Sequence, residues 1–189
     1  MQDPHAGQVL DFWFAERDGD GQPAYRKAWF ERDAAFDAEI ARRFAPAVER
    51  ALAGELDGWA TSADGALALV ILLDQFPRNL FRGTARAFAG DARALRLAKQ
   101  AIAQGFDRQL PRYGRMFLYL PFEHSENLED QERSVALFAT LDDANVAKFA
   151  AAHRDIVARF GRFPHRNAAL GRQSTPEETE FLKQPGSSF

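Results

Sequence analysis

The chain of 189 residues contains no cysteine. This absence excludes disulfide bonds, thiolate metal sites and cysteine nucleophiles together. Because nothing in such a chain needs an oxidising compartment, the composition favours the reducing cytoplasm. We therefore predict a cytoplasmic protein.

Long hydrophobic runs are also missing. The longest wholly apolar segment, Ala66 to Leu73, covers only about a third of the length needed to cross a bilayer. The amino-terminal sequence, Met-Gln-Asp-Pro-His, lacks the basic region and the apolar region of a secretory signal. We expect a soluble protein that does not bind a membrane.

Neither sign of charge dominates the sequence. The 24 basic and 27 acidic residues give a formal net charge of −3, and they are intermixed along the chain. Such a balance creates no overall positive field that would attract nucleic acid. We predict no nucleic-acid partner, and the composition leaves the oligomeric state open.

Several catalytic motifs are absent as well. The chain has no Gly-x-Ser-x-Gly nucleophile turn, no Walker phosphate-binding loop and no Gly-x-Gly-x-x-Gly sequence. These absences argue against a serine hydrolase, a nucleotide hydrolase and a dinucleotide-dependent enzyme. We predict no cofactor, and whether the protein is an enzyme stays open at this point.

Apolar residues recur at helical spacing along the whole chain, and no segment alternates for long enough to predict a strand. The clearest stripe runs from Val146 to Phe160 and ends at Gly161. The first helix is predicted to begin at Pro4 with Asp3 as its N-cap. Eight helices are predicted, which makes the fold all-α.

Proline marks several expected helix ends. Phe76-Pro77-Arg78-Asn79 and Phe163-Pro164-His165-Arg166-Asn167 each follow an apolar helical segment. Because proline lacks an amide donor and disfavours helical geometry before it, both segments are predicted to end a helix and to direct arginine and asparagine outward. Pro121 is predicted to end the fifth helix, and Pro46 to kink or break the second.

The length and the short loops predict a single domain over residues 1–189. Short loops between amphipathic helices favour antiparallel neighbours, and hence a bundle or a stack of helical hairpins. Thr175-Pro176-Glu177-Glu178 is typical of a capping box, so a short carboxyl-terminal helix and tail are expected from about residue 174. No fixed repeat is present.

A first set of candidate catalytic residues lies in a polar segment and on one helix face. Glu123, His124 and Glu126 offer two carboxylates and an imidazole within four residues, and His153 lies in the apolar stripe of the seventh helix. These groups are suited to acid/base chemistry, although His153 is equally well explained as a core histidine with a carboxylate or carbonyl partner. The zinc deaminase and His-Glu-x-x-His patterns are not met, so no metal site is predicted.

A second set is suited to anion binding. Guanidinium and amide groups can together bind a carboxylate or a phosphate. The alternative is structural, because arginine and asparagine after a helix end often bond its last carbonyls or pair with Asp74 or Glu123. The predicted ligand-binding residues are Arg78, Asn79, Arg162, His165, Arg166 and Asn167.

Five longer segments carry distinctive motifs: Val9–Phe14, Leu73–Asn79, Arg115–Glu126, Gln131–Ser134 and Phe160–Asn167. Together with the closing Thr-Pro-Glu-Glu and Pro-Gly-Ser-Ser-Phe sequences, they resemble the bacterial domain-of-unknown-function family 924. The resemblance covers nearly the whole chain. It implies an all-α, tetratricopeptide-like stack of helices in a cytoplasmic bacterial protein, and it implies no established activity or catalytic residues.

Two functions remain open from the sequence. In the first, the histidine, glutamate and arginine residues converge into a polar pocket that binds a small anionic molecule, with acid/base chemistry as an extension. In the second, the helical scaffold is a tetratricopeptide-like module that binds a peptide or protein without catalysis. The two differ in whether the histidines lie together or are scattered.

Overall fold

The structure, a computed structural model, describes residues 5–188, and every regular element in that range is helical. No strand occurs there, only an isolated bridge between Arg17 and Pro23. The all-α prediction is therefore confirmed. No helix of the described chain is both long enough and apolar enough to span a bilayer. The α-helices are α1 (Ala6–Trp13), α2 (Ala34–Ala53), α3 (Ala63–Val70), α4 (Phe76–Leu80), α5 (Asp91–Ala103), α6 (Arg112–Glu123), α7 (Leu128–Ala139), α8 (Ala144–Phe160) and α9 (Pro176–Phe181).

The chain divides into two compact units. The first extends to Arg82 and continues from Arg86 to Pro121, while the second comprises Gly83–Ala85 and the chain from Phe122 onward. Apart from Gly83–Ala85, the second unit thus begins in the last turn of α6. Each unit has its own buried apolar residues.

Aromatic side chains form the core of the first unit. The ring centroids of Phe12 and Phe36 lie 5.1 Å apart, and those of Phe44 and Phe76 are also 5.1 Å apart. Trp13 lies 5.5 Å from Phe76 and is completely buried. Such pairs add about 0.5–1.5 kcal/mol each beyond the burial of their area. They hold α1, α2 and α4 together.

The first Phe-Pro segment does not end a helix, and that prediction was wrong. α3 passes through a π-helical turn, Ile71–Gln75, directly into α4, which contains Pro77 at its start. Counted as one continuous segment, these three elements bring the number of helices to the predicted eight. Pro77 therefore lies inside this continuous segment, directly after the π-helical turn, where the helix lacks one amide donor.

Pro121 does not end a helix, so that prediction was wrong, and Pro46 does not break one, while a kink at Pro46 stays a prediction. α2 continues past Pro46 to Ala53 without a break, and Pro46 is exposed. α6 continues past Pro121 to Glu123. In each case the helix loses one amide donor, which tertiary packing of the flanking apolar residues can offset.

Helix caps in the second unit follow the sequence closely. The side chain of Asn127 accepts hydrogen bonds from two main-chain amides at the start of α7, and that of Asp143 does the same at the start of α8. α8 ends at Gly161, whose φ of 69° only glycine adopts easily. The Thr175–Glu178 capping box is present at α9, as predicted. At the other end of the chain, the predicted Asp3 cap lies outside the described residues, and α1 begins at Ala6 after His5.

The second unit is built on a helical hairpin. α7 and α8 pack against each other and are joined by a short loop, which forces them to be antiparallel. Ile156, Val157 and Phe163 are buried together, and Phe160 and Phe181 pack against them. This cluster attaches the chain after α8, including α9, to the hairpin. The tetratricopeptide-like stacking stays a prediction.

Gly90 provides a test of the packing around the π-helical turn. A Cβ atom at this position would lie 2.1 Å from the main-chain oxygen of Leu73, the carbonyl four residues before Pro77. We expect Gly90→Ala to lower the free energy of unfolding by about 1–3 kcal/mol, because the helix must move to accommodate the methyl group. Urea unfolding measures this change.

Gly58→Ala is the matched control, because a Cβ atom at the exposed Gly58 would meet no atom within 4 Å. Its free energy of unfolding should stay within about 0.5 kcal/mol of the wild type. Equal stability of the two variants would show that the contact between Gly90 and Leu73 does not constrain the fold.

Candidate functional site

The ten predicted site residues belong to two units. Arg78 and Asn79 lie in the first unit. The others lie in the second unit, and they are Glu123, His124, Glu126, His153, Arg162, His165, Arg166 and Asn167.

Arg78 forms a buried ion-pair network within the first unit. Its Nη1 and Nη2 donate to the carboxylate of Asp91 at 2.7 and 2.9 Å. Nη1 also donates to the main-chain oxygen of Asp74 at 2.6 Å and lies 3.4 Å from its fully buried carboxylate. Burial alone would lower the pKa of Arg78, but the charges of Asp74 and Asp91 outweigh it and raise the pKa. Arg78 therefore joins α4 to the start of α5.

Asn79 bonds to α2 rather than to solvent. Its Nδ2 donates to Asp37 at 2.7 Å, and Arg82 donates to the same carboxylate at 2.9 and 3.0 Å. Burial would raise the pKa of Asp37, but these hydrogen bonds and the Arg82 charge lower it. The prediction that arginine and asparagine after Pro77 point outward was wrong, because acidic side chains of the same unit bind both.

Phe163 is the centre of the second unit's polar cluster. The ring of His153 meets the Phe163 ring edge-to-face at a centroid distance of 5.6 Å, and the ring of His165 also lies 5.6 Å away. The guanidinium carbon of Arg166 lies over the Phe163 ring, 4.6 Å from its centroid. A buried aromatic face thus contacts three basic side chains. Arg166 and Asn167 are buried rather than directed outward, again contrary to the prediction.

The imidazole of His153 is buried and fixed in one orientation. Its Nδ1 lies 2.8 Å from the main-chain oxygen of Phe149 and 3.2 Å from Oε1 of Glu123, which is also buried. Two oxygens at Nδ1 place the proton of the neutral ring there, so that Nε2 is the acceptor nitrogen.

The charge state of His153 follows from its surroundings. Burial lowers its pKa to about 3, the bond to the Phe149 oxygen opposes this, and the charges of His124, Arg166 and His165 lower it further. His153 is therefore neutral at pH 7. Its interaction with Glu123 is a hydrogen bond from a neutral ring and not an ion pair.

Burial differs between the members of the cluster. Glu123, His153 and Arg166 are buried, whereas His124 and His165 are partly exposed. The rings of His124 and His153 lie 6.4 Å apart. The second unit therefore brings all three predicted histidines close together. Two of them, His124 and His165, are partly exposed, and the charged side chains of Glu123 and Arg166 are buried in the same cluster.

Glu126 is occupied by a partner that the sequence reasoning missed. Nη1 and Nη2 of Arg172 donate to its carboxylate at 2.6 and 2.8 Å, and the amide of Phe163 donates at 2.8 Å. Burial would raise the pKa of Glu126, but the hydrogen bonds from Arg172 and Phe163 lower it. Glu126 is therefore an anchor for the loop after α8. A pairing across 46 residues leaves no periodic signal in the sequence.

Glu178 binds two other predicted residues. Arg162 donates to both of its carboxylate oxygens at 2.6 and 2.8 Å, and Nδ2 of Asn167 lies 3.3 Å from Oε2. The hydrogen bond from Arg162 is the main cause that lowers the pKa of Glu178 to about 2. Arg162 and Asn167 thus attach α9 to the end of α8.

Gln131 is a second residue that the sequence reasoning missed. Its Nε2 donates to the main-chain oxygens of Glu123 and Ser125, at 2.7 and 2.6 Å, and the whole side chain is buried. One amide group therefore satisfies carbonyls at the end of α6, which would otherwise lack partners. The position of Glu123 and His124 depends on this cap. Gln131 lies in one of the segments that carry the family resemblance, which is the only signal that pointed to it.

Metal coordination has no geometric support within residues 5–188. No group of three or more histidine, aspartate or glutamate side chains is arranged there to hold a metal ion. The short distance between His153 and Glu123 involves only two such groups.

Comparisons with known proteins extend over nearly the whole chain. The family model described as "Bacterial protein of unknown function (DUF924)" matches residues 9–186. The solved structure of the protein of unknown function ATU0120 from Agrobacterium tumefaciens is 45% identical, with a TM-score of 0.86, and the match covers 94% of this chain and 96% of that one. No curated protein matches. The resemblance seen in the sequence is confirmed.

Glu178 provides a test of the network after α8. We expect Glu178→Gln to lower the free energy of unfolding at pH 7 by about 2 kcal/mol, because the variant leaves Arg162 without its buried carboxylate. Glu177→Gln is the control, since the exposed Glu177 binds the exposed Arg159 and such pairs contribute about 0–1 kcal/mol.

The effect of Glu178→Gln should depend on pH. A folded-state pKa of about 2, below the ordinary value of 4.5, adds stability above the ordinary pKa and loses it as the pH falls towards the lower value. The difference in stability between wild type and variant should therefore be constant above about pH 5.5 and shrink below about pH 4.5. Urea unfolding across this range measures it, and a difference that stays constant to about pH 3 would contradict the ion pair.

Proposed function

Since the chain belongs to the bacterial protein family of unknown function DUF924, we propose a function from the site itself: the second unit binds a small anion, a carboxylate or a phosphate, beside His124, His165 and Arg166. The single observation that carries this proposal is the cluster in which His153, His165 and Arg166 meet the Phe163 ring and His124 lies beside His153. We also expect the protein to act in the cytoplasm, in line with its lack of cysteine.

The electrostatics of the cluster favour an anion. Burial is the main cause of the low pKa of His153, and the charges of His124, Arg166 and His165 lower it further because they oppose another positive charge nearby. The same charges attract a negative one. His124 and His165 are partly exposed and carry imidazole N–H donors, and the buried Arg166 supplies a permanent charge.

The role of Glu123 is to orient His153. Its carboxylate lies at Nδ1 of the imidazole, so the Nε2 lone pair is left to accept a proton or a hydrogen bond. A ligand that carries both an acidic oxygen and a hydroxyl group would use both kinds of partner, since the cationic groups bind the oxygen and Nε2 accepts from the hydroxyl.

Binding is supported ahead of catalysis. A general base works best when its pKa lies near the operating pH, whereas the pKa of His153 is lowered to about 3. At neutral pH the ring is available but only weakly basic. Acid/base chemistry would require the bound anion to raise this pKa, which makes proton uptake a measurable consequence of binding.

A second candidate is peptide binding by the first unit. Tyr25 and Phe30 are half exposed and stack with their ring centroids 6.2 Å apart, next to Trp29. Exposed aromatic pairs of this kind are typical of surfaces that bind extended, proline-rich peptides. Quenching of tryptophan fluorescence by such a peptide, abolished in Tyr25→Ser, would favour this function. Anion binding that is unchanged in Tyr25→Ser would separate the two functions.

Anion binding can be tested by thermal unfolding with inorganic phosphate and with short dicarboxylates. A ligand at 100 times its dissociation constant stabilises by about 2.7 kcal/mol, which corresponds to roughly 5–10 °C for a chain of this size. We expect such a shift in the wild type, and a smaller one in His124→Asn and His165→Asn. His5→Asn, which changes the histidine that lies in the first unit, is the control and should behave like the wild type.

Two outcomes would overturn the proposal. One is the absence of a shift with every anion of both classes at concentrations up to the solubility of the salt. The other is an equal shift in His124→Asn, His165→Asn and His5→Asn, because binding would then not depend on the cluster.

Proton uptake provides an independent test. NMR titration of the His153 imidazole should give a pKa of about 3 without ligand and a higher value with saturating phosphate, because a nearby anion favours the imidazolium. Affinity should then increase as the pH falls towards the raised pKa. An unchanged pKa in the presence of bound phosphate would place the anion away from this cluster.

A further inference from the structure

A cleft of about 260 Å³ lies in the first unit. Its walls include the apolar side chains of Leu10, Phe14, Leu67 and Leu110, which α1, α3 and the segment before α6 contribute. Phe14, Leu67 and Leu110 are nearly buried, so the floor of the cleft is fixed by the packing of the unit. An apolar floor with a few polar groups around it is typical of a small-molecule site.

Three charged residues also line this cleft: Asp11 on α1, Arg17 after it, and Asp64 in the first turn of α3. All three are exposed, and none of their side chains makes a hydrogen bond or an ion pair within residues 5–188. Other exposed arginines of the same unit do find distant acids, as Arg86 does with Glu49 and Arg82 does with Asp37. The cleft therefore brings two carboxylates and a guanidinium to one concave surface without pairing them to each other.

We propose that this cleft binds an α-amino acid with an apolar side chain. The ammonium group would meet Asp11 and Asp64, the carboxylate would meet Arg17, and the side chain would lie on the apolar floor. Charge-assisted hydrogen bonds of this kind are the strongest that exposed groups make. A ligand with only one charge would leave either the two aspartates or Arg17 without an oppositely charged partner.

The size of the cleft supports a ligand of this class. Its volume of about 260 Å³ is smaller than that of sites for drug-sized ligands, which are roughly 300–1,000 Å³. A single amino acid fits such a space, whereas a nucleotide or a long peptide would extend beyond it. The proposal is independent of the anion site, because every residue that it uses lies in the first unit.

Calorimetric titration of the full chain with L-phenylalanine at neutral pH tests the proposal. We expect saturable binding of one molecule. Two analogues identify the groups that matter: phenethylamine, which lacks the carboxylate, should bind about tenfold more weakly, a loss of roughly 1.4 kcal/mol. Phenylpropionate, which lacks the ammonium group and is repelled by both aspartates, should not bind.

Variants then locate the site. Asp64→Asn, Asp11→Asn and Arg17→Gln change exposed groups and should each weaken phenylalanine binding about tenfold, with thermal unfolding unchanged. Asp20→Asn and Arg108→Gln alter exposed residues that do not line the cleft and serve as controls. His165→Asn should bind phenylalanine normally, which distinguishes this site from the anion site.

Three results would overturn the proposal. The first is the absence of any saturable heat with phenylalanine or leucine, and the second is phenylpropionate binding as tightly as phenylalanine. The third is wild-type affinity in all three cleft variants, which would show that the amino acid binds elsewhere.

Discussion

The main chain of Phe163 is the point on which the arrangement of basic groups in the second unit depends. The Glu126 carboxylate accepts a hydrogen bond from the Phe163 amide, and Arg172 donates one to the Phe163 carbonyl oxygen. The side chains of Glu126 and Arg172 also bind each other. A buried peptide group without partners costs about 1–3 kcal/mol, so this pair fixes the chain after α8. The ring of Phe163 then brings His153, His165 and Arg166 together. The positions of His165 and Arg166, which follow directly in the chain, depend on this one anchored residue.

Paired charges account for the other arginine and asparagine residues that the sequence singled out. Removing an ion from water costs several kcal/mol unless an oppositely charged partner is close. Each unit supplies such partners for its own arginines. Arg78 binds Asp74 and Asp91 in the first, and Arg162 binds Glu178 in the second. These residues stabilise the fold. The groups around His153 and the charges of the cleft are the ones that we propose as ligand sites.

The sequence predicts well those features that depend on residues close together in the chain, such as helices and their caps. Helix α8, its end at Gly161 and the Thr175 capping box all depend on residues within one or two turns of each other, and all three are present. Phe149, which the predicted apolar stripe of α8 includes, is exposed. The prediction that a helix ends at Pro77 was wrong because the preceding helix widens into a π-helical turn and continues. The residues of this turn are buried, and local propensity does not indicate it.

Contacts across many residues were beyond sequence reasoning. Arg172 and Glu126 are 46 residues apart, and nothing periodic relates them. The three histidines were named from their chemistry, but the contacts of His153 and His165 with Phe163, and of His124 with His153, form only in the folded second unit. The charges of the cleft were missed because Asp11, Arg17 and Asp64 carry no motif and meet only when α1 packs on α3.

A crystal structure of the chain with bound phosphate, grown at about pH 5, where histidines of ordinary pKa are protonated, tests the central claim most directly. The account predicts a phosphate within hydrogen-bond distance of the His124 and His165 imidazoles, on the side of Phe163 that carries Arg166. Ordered phosphate elsewhere on the chain, with these imidazoles bound only to water, would contradict it.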